Sequence, residues 1–212
     1  MHYRTSHTEF FPAKNKGQPM RILLVCDHPA HTTMLEQALY NCGYPISGSI
    51  KPDHDLVSYV QNTRSDVIIV VVDSPSKVIL ENLRRLDITQ PMPVVVFTQD
   101  QDAQKIRAAM GSNVSSYIVD GFNAERLKSI IDVAVTRFEM LQKLKSTLKT
   151  AELRLQERKL VERAKGMVMK QRGCTEEEAY RLLRTAAMNH NKGIAEIAQA
   201  LITASELIPH QK

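Results

Sequence analysis

With 212 residues, 43% of them hydrophobic and 24% charged, the chain is long enough for one average domain and a smaller second unit, and its make-up excludes wholesale disorder, collagen-like repeats and a chain built of coiled coil alone. Its net charge of +5 is unevenly spread: residues 137–192 hold 14 Lys or Arg against 7 Asp or Glu, and the rest holds 14 against 16. The basic charge therefore lives in the carboxy-terminal part.

In chain order, the first 18 residues are polar and contain no apolar core of the kind a secretory signal needs, so residues 1–19 are expected to form a flexible leader. From Met20 short β-rich runs alternate with helical periodicity. Runs at 22–25, 46–49, 67–72, 94–97 and 116–119 are followed by helical stretches at 32–41, 53–62, 77–86, 101–110 and from 124 onward. Five strands alternating with helices predict a doubly wound α/β domain, a parallel five-stranded sheet covered on both faces. In such folds the chemistry gathers at the carboxyl ends of the strands, which singles out Asp27, Asp73, Thr98 and Asp120. The longest apolar runs, 67–72 and 94–97, fall far short of the roughly 20 residues of a membrane span, so no membrane segment is expected. Cys26, Cys42 and Cys174 are widely spaced and form no Cys-x-x-Cys pair. They read as small hydrophobes in a reducing cytoplasm rather than as a disulfide framework or zinc site.

From Leu127 the apolar positions Leu127, Ile130, Ala134, Leu141, Leu144, Leu148, Ala151 and Leu155 recur at three- and four-residue spacing, with Arg137 breaking the series and no Gly or Pro within it. A continuous helix pairing with a second copy of itself, a parallel homodimer, is the expectation for residues 127–157. The competing arrangement is a long helix packed on its own α/β domain.

Residues 158–205 predict an all-α three-helix unit. The stripe Leu160, Ala164, Met167 and Val168 carries the first helix to about Gln171, where Gly173 supplies a stop. Thr175 with Glu178 forms a capping box, opening a second helix with Ala179, Leu182, Leu183, Ala186 and Ala187 inward. After a break at 191–193, Ile194, Ile197, Ala198, Leu201 and Ile202 line a third helix, and residues 206–212 form a tail. Arg158, Lys159, Arg163, Lys165, Lys170 and Arg172 crowd the first helix, with Arg158, Lys165 and Arg172 on one face. The second helix adds Tyr180, Arg181 and Arg184, and Lys192 follows it. Cations for phosphates beside a ring that stacks on an unpaired base suit RNA loops better than duplex, although a charge run alone is more often a solvated face.

Two resemblances sharpen these readings. Residues 20–126 resemble the receiver domain of bacterial response regulators, a flavodoxin-like doubly wound fold. In that family a strand-three Asp accepts a phosphoryl group, paired acids after strand one hold Mg²⁺, a strand-four hydroxyl senses the phosphate and a strand-five Lys pairs with it. Asp73 matches the acceptor and Thr98 the hydroxyl, but the acid pair is reduced to Cys26-Asp27 and Asp120-Gly121 stands where Lys-Pro normally follows strand five. A carboxylate there repels phosphate and offers no donor, so this half is expected to be a pseudo-receiver read by a protein partner. Asp27, Asp73 and Asp120 offer carboxylate oxygens of the kind Mg²⁺ favours, and no cofactor beyond a weakly held Mg²⁺ is expected. For Asp120, a turn role before Gly121 is the alternative.

The segment with Arg158-Lys159, Ala164-Lys165-Gly166, the capped acidic turn 175–178, Tyr180 and Leu183-Arg184-Thr185-Ala186-Ala187-Met188 resembles an ANTAR domain, the RNA-binding module of bacterial transcription antiterminators. The resemblance implies that Lys165, Tyr180 and Arg184, helped by Arg181 and Lys192, contact paired hexanucleotide loops in leader mRNA; Gly166, Ala187 and Met188, small or apolar, are expected to serve packing by letting helices approach. Val72-Asp73-Ser74-Pro75-Ser76 and Val119-Asp120-Gly121-Phe122 are similar to phrases of the nitrate- and nitrite-assimilation antiterminators. That group implies a cytoplasmic nitrate- or nitrite-sensing partner resembling a periplasmic binding protein. The amidase-operon antiterminators, with a different sensor, are the neighbouring group.

A DNA-binding response regulator is the competing function, since residues 194–202 after a capped helix mimic a recognition unit. The exposed positions expected there, Glu196 and Gln199, are not basic, as a groove-reading helix usually requires. An enzyme is the third class. No Ser-His-Asp spacing, Gly-rich phosphate loop or His-Glu-x-x-His motif occurs, so no catalytic residue is assigned.

Overall fold

The structure, a computed structural model, describes residues 19–119 and 122–207. The expected leader, the tail beyond Leu207 and the Asp120-Gly121 step therefore lie outside the described residues. The chain divides into two compact units between Leu141 and Gln142.

The first unit is built from strands β1 (Ile22–Cys26), β2 (Ile46–Ile50), β3 (Val67–Val71), β4 (Val94–Thr98) and β5 (Ser116–Val119), interleaved with helices α1 (Pro29–Asn41), α2 (Leu56–Asn62), α3 (Lys77–Thr89) and α4 (Ala103–Met110). The sheet order is β2-β1-β3-β4-β5, with every pairing parallel. Strands buried on both faces explain the unbroken apolar runs, and alternation along each strand sorts them into two layers. Leu23, Val25, Ile68, Val70, Val94 and Val96 face α2, α3 and α4 through Leu56, Val60, Ile79, Leu83 and Ala109. Ile22, Leu24, Val67, Ile69, Val95 and Phe97 face α1 through Leu35, Ala38 and Leu39.

The same second layer takes in Leu127, Ile131, Ala134 and Val135 from the start of α5 (Leu127–Arg172), and Phe138 is also buried. This corrects the expected boundary: the first turns of α5 belong to the α/β unit, not to a coiled coil starting at 127. A stripe packing on a sheet and a heptad seam share the three- and four-residue spacing, so the sequence does not separate them. Ile131, not Ile130, is the fully buried member. Beyond Phe138 the two diverge. Leu141, Leu144, Leu148 and Leu155 are exposed within the single chain, so the remaining seam is still without an internal partner among the described residues.

The second unit holds the rest of α5, then α6 (Glu176–Asn189) and α7 (Ile194–Leu207), the last running past the expected limit at 205. α5 ends where Gly173 takes a left-handed φ of +63°. Thr175 and Glu178 form the predicted reciprocal capping box at the head of α6. The core is small: Ala164 and Val168 of α5, Ala179 and Leu183 of α6 and Ala198 of α7, ringed by Leu160, Ile194, Ile197 and Leu201. Three alanines at its centre let the helices approach closely. Leu182, expected inward, is exposed, and Ala186 is half-buried. No helix among the described residues is long and apolar enough to cross a membrane.

Candidate nucleic-acid interface

Side chains on one stripe of α6 and the turn beyond it enclose an open groove of about 640 Å³, lined by Tyr180, Arg184, Ala187, Met188, Asn191, Lys192 and Ile194. The turn sets its far wall. Asn191 takes a left-handed φ of +54°, while the Lys192 amide donates to the Ala187 carbonyl (2.9 Å) and the Asn191 amide to that of Met188 (3.2 Å), a Schellman closure of α6. That closure brings Lys192 back beside Arg184. The Gly193 amide, at the head of α7, donates to the Glu196 carboxylate, so this acid caps a helix.

Tyr180 is 44% exposed and Met188 73% exposed. Met188 thus departs from the expected packing role: it forms part of the groove, and only Ala187 of that pair is buried. The groove offers an aromatic face, an exposed thioether, two cations and an amide, a set suited to a flat unpaired base with its phosphate.

Of the expected RNA contacts, the structure gathers Tyr180, Arg184 and Lys192 in this groove. Arg158, Lys159, Lys170 and Arg181 are exposed on their helices without lining it. Arg163 pairs with Glu206 across 2.8 Å. Lys165 differs most from expectation. It is 8% exposed, and its Nζ lies 2.8 Å from Glu162 and 2.6 Å from Glu176, tying α5 to the first residue of α6. Its pKa is raised, chiefly by the hydrogen bond to Glu162 and then by that to Glu176. The Glu176 carboxyl is correspondingly lowered by Lys165. The face shared by Arg158, Lys165 and Arg172 is therefore not uniformly presented. The sequence assigned Met188 to packing, Asn191 to a break and Ile194 to the third helix rather than to a site; the turn-forming Asn191-Lys192-Gly193 step was the available signal for the groove's end.

In the α/β unit, Asp27 and Asp73 are exposed just beyond β1 and β3, where the strand order reverses. His28, which the sequence reading passed over, puts Nε2 3.4 Å from Asp73 Oδ2. Oxygen or nitrogen atoms of Asp27, His28 and Asp73 all lie within 4.8 Å of one another. This set gives Mg²⁺ carboxylate oxygens, but its third member is an imidazole, a ligand better suited to transition metals. Thr98 is buried: its hydroxyl donates to the Asp73 carbonyl (2.7 Å) and accepts from the Asp100 amide (3.1 Å). Those two bonds tie the loop after β3 to the loop after β4. Beside it Lys105 Nζ lies 2.5 Å from Asp100 Oδ2 and 2.8 Å from Ser74 Oγ, and Ser74 donates to the same carboxylate. Lys105, with help from Ser74, holds the Asp100 carboxyl down to about 2. A cleft of about 260 Å³, lined among others by His31, Met34, Asp73, Phe97, Thr98 and Phe122, opens next to Asp73. Burial raises the pKa of the Cys26 thiol, the residue in place of the first acid.

The sequence profile of the response regulator receiver domain matches residues 22–132, more than half of the chain. The chain belongs to the response regulator receiver family. Residues 149–202 match the ANTAR domain, so this regulator pairs a receiver with an ANTAR module. The match opens inside α5, ahead of the expected start at 158. The regulator is 27% identical to the transcriptional regulatory protein PdtaR of Mycobacterium tuberculosis over 184 residues, 87% of this chain and 90% of that one. It is also 38% identical to the nitrate regulatory protein of Klebsiella oxytoca over 80 residues, 38% of this chain and 20% of that protein. Among solved structures, the signal receiver domain of a modulated diguanylate cyclase from Desulfovibrio desulfuricans overlays with a TM-score of 0.51 at 21% identity, covering 58% of this chain and 98% of that one. A receiver domain protein from Methanospirillum hungatei gives 0.51 at 19%, with the same coverage. These likenesses show the fold alone.

Proposed function

We propose that this regulator is an RNA-binding transcription antiterminator that grips two hairpin loops of a leader mRNA and, by holding the antiterminator hairpin, disfavours termination. The observation that carries the reading is the groove that collects Tyr180, Arg184 and Lys192 on a module matched by the ANTAR profile. An unpaired base stacks on Tyr180 there, while Arg184 and Lys192 neutralise the adjoining phosphates. In this reading residues 141–155 zip two copies together, burying Leu141, Leu144, Leu148 and Leu155, and the dimer presents one groove to each hexanucleotide loop. Residues 158–205 are the RNA-binding module, and Arg158, Lys159, Arg163, Lys170 and Arg181 add longer-range attraction.

Residues 20–126, with the first turns of α5, act as a pseudo-receiver held by a cytoplasmic sensor protein, and likeness to the nitrate regulatory protein favours nitrate or nitrite as the releasing ligand. An amidase-type operon with a different sensor is the alternative within the same mechanism. We read the protein as a regulator rather than an enzyme. The DNA-binding alternative is disfavoured by α7, whose Glu196 carboxylate caps its own helix where a groove-reading helix carries Arg or Lys.

The test is a competition experiment at fixed salt with a labelled synthetic RNA of two hairpins, each closed by a hexanucleotide loop. The RNA is expected to bind with one dimer per two-hairpin molecule and to survive excess promoter duplex. Displacement by the duplex at equal concentration would sink the RNA reading.

A further inference from the structure

Gly166 lies inside α5, in its last two turns before Arg172, is exposed, and a Cβ built on it meets nothing within 4 Å. The expectation that it lets helices pack closely is therefore not met inside this chain. A mid-helix glycine is costly because the unfolded chain loses more backbone freedom there than alanine would, and here no neighbour requires its small size. On the surrounding helical surface stand Lys159 and Lys170, both exposed, together with Arg163, paired with Glu206, and Glu162, whose carboxylate is tied to Lys165.

We infer that Gly166 is a notch through which the phosphate backbone of the bound RNA approaches the α5 main chain, with Lys159 and Lys170 closing on it from either side. This deepens the antitermination reading and rests on it. Charge decides between the two occupants such a notch could accept. In a two-fold dimer the same patch would meet itself, bringing Lys159 and Lys170 against their own copies, whereas a polyanion is complementary to both; Arg163, paired with Glu206, counts for neither occupant. The apolar seam supports the same assignment, because past Leu155 its three- and four-residue spacing lands on Arg158 and Glu162.

The experiment compares the wild-type protein with Gly166→Ala in full-length form. Three readouts are taken: thermal unfolding, size in solution, and affinity for the synthetic two-hairpin RNA across a salt series. The variant is expected to unfold at a higher temperature, to keep its oligomeric size, and to lose RNA affinity by about tenfold, the scale of one charge-assisted contact pushed out of reach. Arg184→Ala, which removes a groove cation, should lower affinity without the gain in thermal stability. Unchanged RNA affinity in Gly166→Ala overturns the inference, as does a lowered unfolding temperature. Loss of affinity accompanied by dissociation to monomers also overturns it, assigning the notch to the second copy instead. If the wild-type protein leaves the RNA unbound, it is the antitermination reading that fails, and this one falls with it.

Discussion

At the scale of single residues, the carboxy-terminal module separates cations that are committed to the fold from cations that are offered outward. Arg184 and Lys192 are exposed at the groove, so replacing Arg184 with Ala should reduce the slope of log affinity against log salt by roughly 0.7, the share of one single-strand phosphate. Tyr180→Ala should weaken binding of the two-hairpin RNA by about 1–3 kcal/mol if the ring stacks on a base, with little change in urea stability because the ring is only part-covered. Equal affinities for wild type and variant would remove Tyr180 from the site. Lys165 behaves differently, being anchored between Glu162 and Glu176. The depressed carboxyl of Glu176 contributes stability that is fully present above the ordinary carboxylate range and is lost as pH falls through its lowered folded value. The raised ammonium of Lys165 contributes stability present below the ordinary lysine value and lost only as pH rises through its higher folded one. Urea unfolding in a pH series is therefore expected to show a shallower acid limb in Glu176→Gln than in the wild type. Coincident limbs would show that this tie does not stabilise the fold. Sequence alone placed Lys165 among outward cations because an ammonium and its carboxylate partner at the start of the next helix are brought together only by the turn between them.

At the scale of elements, α5 shows why periodicity is an incomplete guide. Its spacing from Leu127 to Leu155 reads as one seam, yet Leu127, Ile131, Ala134 and Val135 complete the core of the α/β unit while Leu141, Leu144, Leu148 and Leu155 stay exposed. Helix spacing records that a stripe is buried, not what buries it. The exposed portion carries the dimer proposal. Leu148→Lys should shift the protein from dimer to monomer on sizing while leaving its helical circular dichroism nearly unchanged, since Leu148 is 59% exposed in the single chain. A dimer that persists in this variant would move the interface elsewhere. The capping box at Thr175 was legible because it is local chemistry between residues three apart, and its hydrogen bonds form as the spacing predicts. The Schellman turn at Asn191 is local too, but its consequence, a groove, needed α6 and the start of α7 side by side.

At the scale of the whole molecule, the two units differ in charge and in the chemistry they expose. The α/β unit keeps the receiver fold but not the receiver's donor set: Cys26 replaces an acid, Asp73 is approached by His28, and the Thr98 hydroxyl is used by the loop. Incubation with acetyl phosphate and Mg²⁺ is therefore expected to leave Asp73 without stoichiometric modification by mass spectrometry. One phosphoryl group per chain would overturn the pseudo-receiver reading. In the proposed reading, control by a protein partner takes the place of phosphorylation, and the acidic balance outside residues 137–192 beside the basic one within them keeps the two activities apart in charge.

What the sequence determined by itself depends on near neighbours: five strands alternating with helices, the capping box at Thr175, the stop at Gly173, the α/β class, and the concentration of cations in one segment. Those follow from backbone geometry and side-chain period, which are written residue by residue. Tertiary structure alone decided which face of α5 is covered and by what, that Lys165 is bound while Arg184 is presented, that Met188 lines a groove, and that Gly166 has open space around it. Most of those turn on what lies opposite a side chain across a gap between helices, as Glu176 does for Lys165. Local order along the chain does not fix that distance; the packing of the whole unit does.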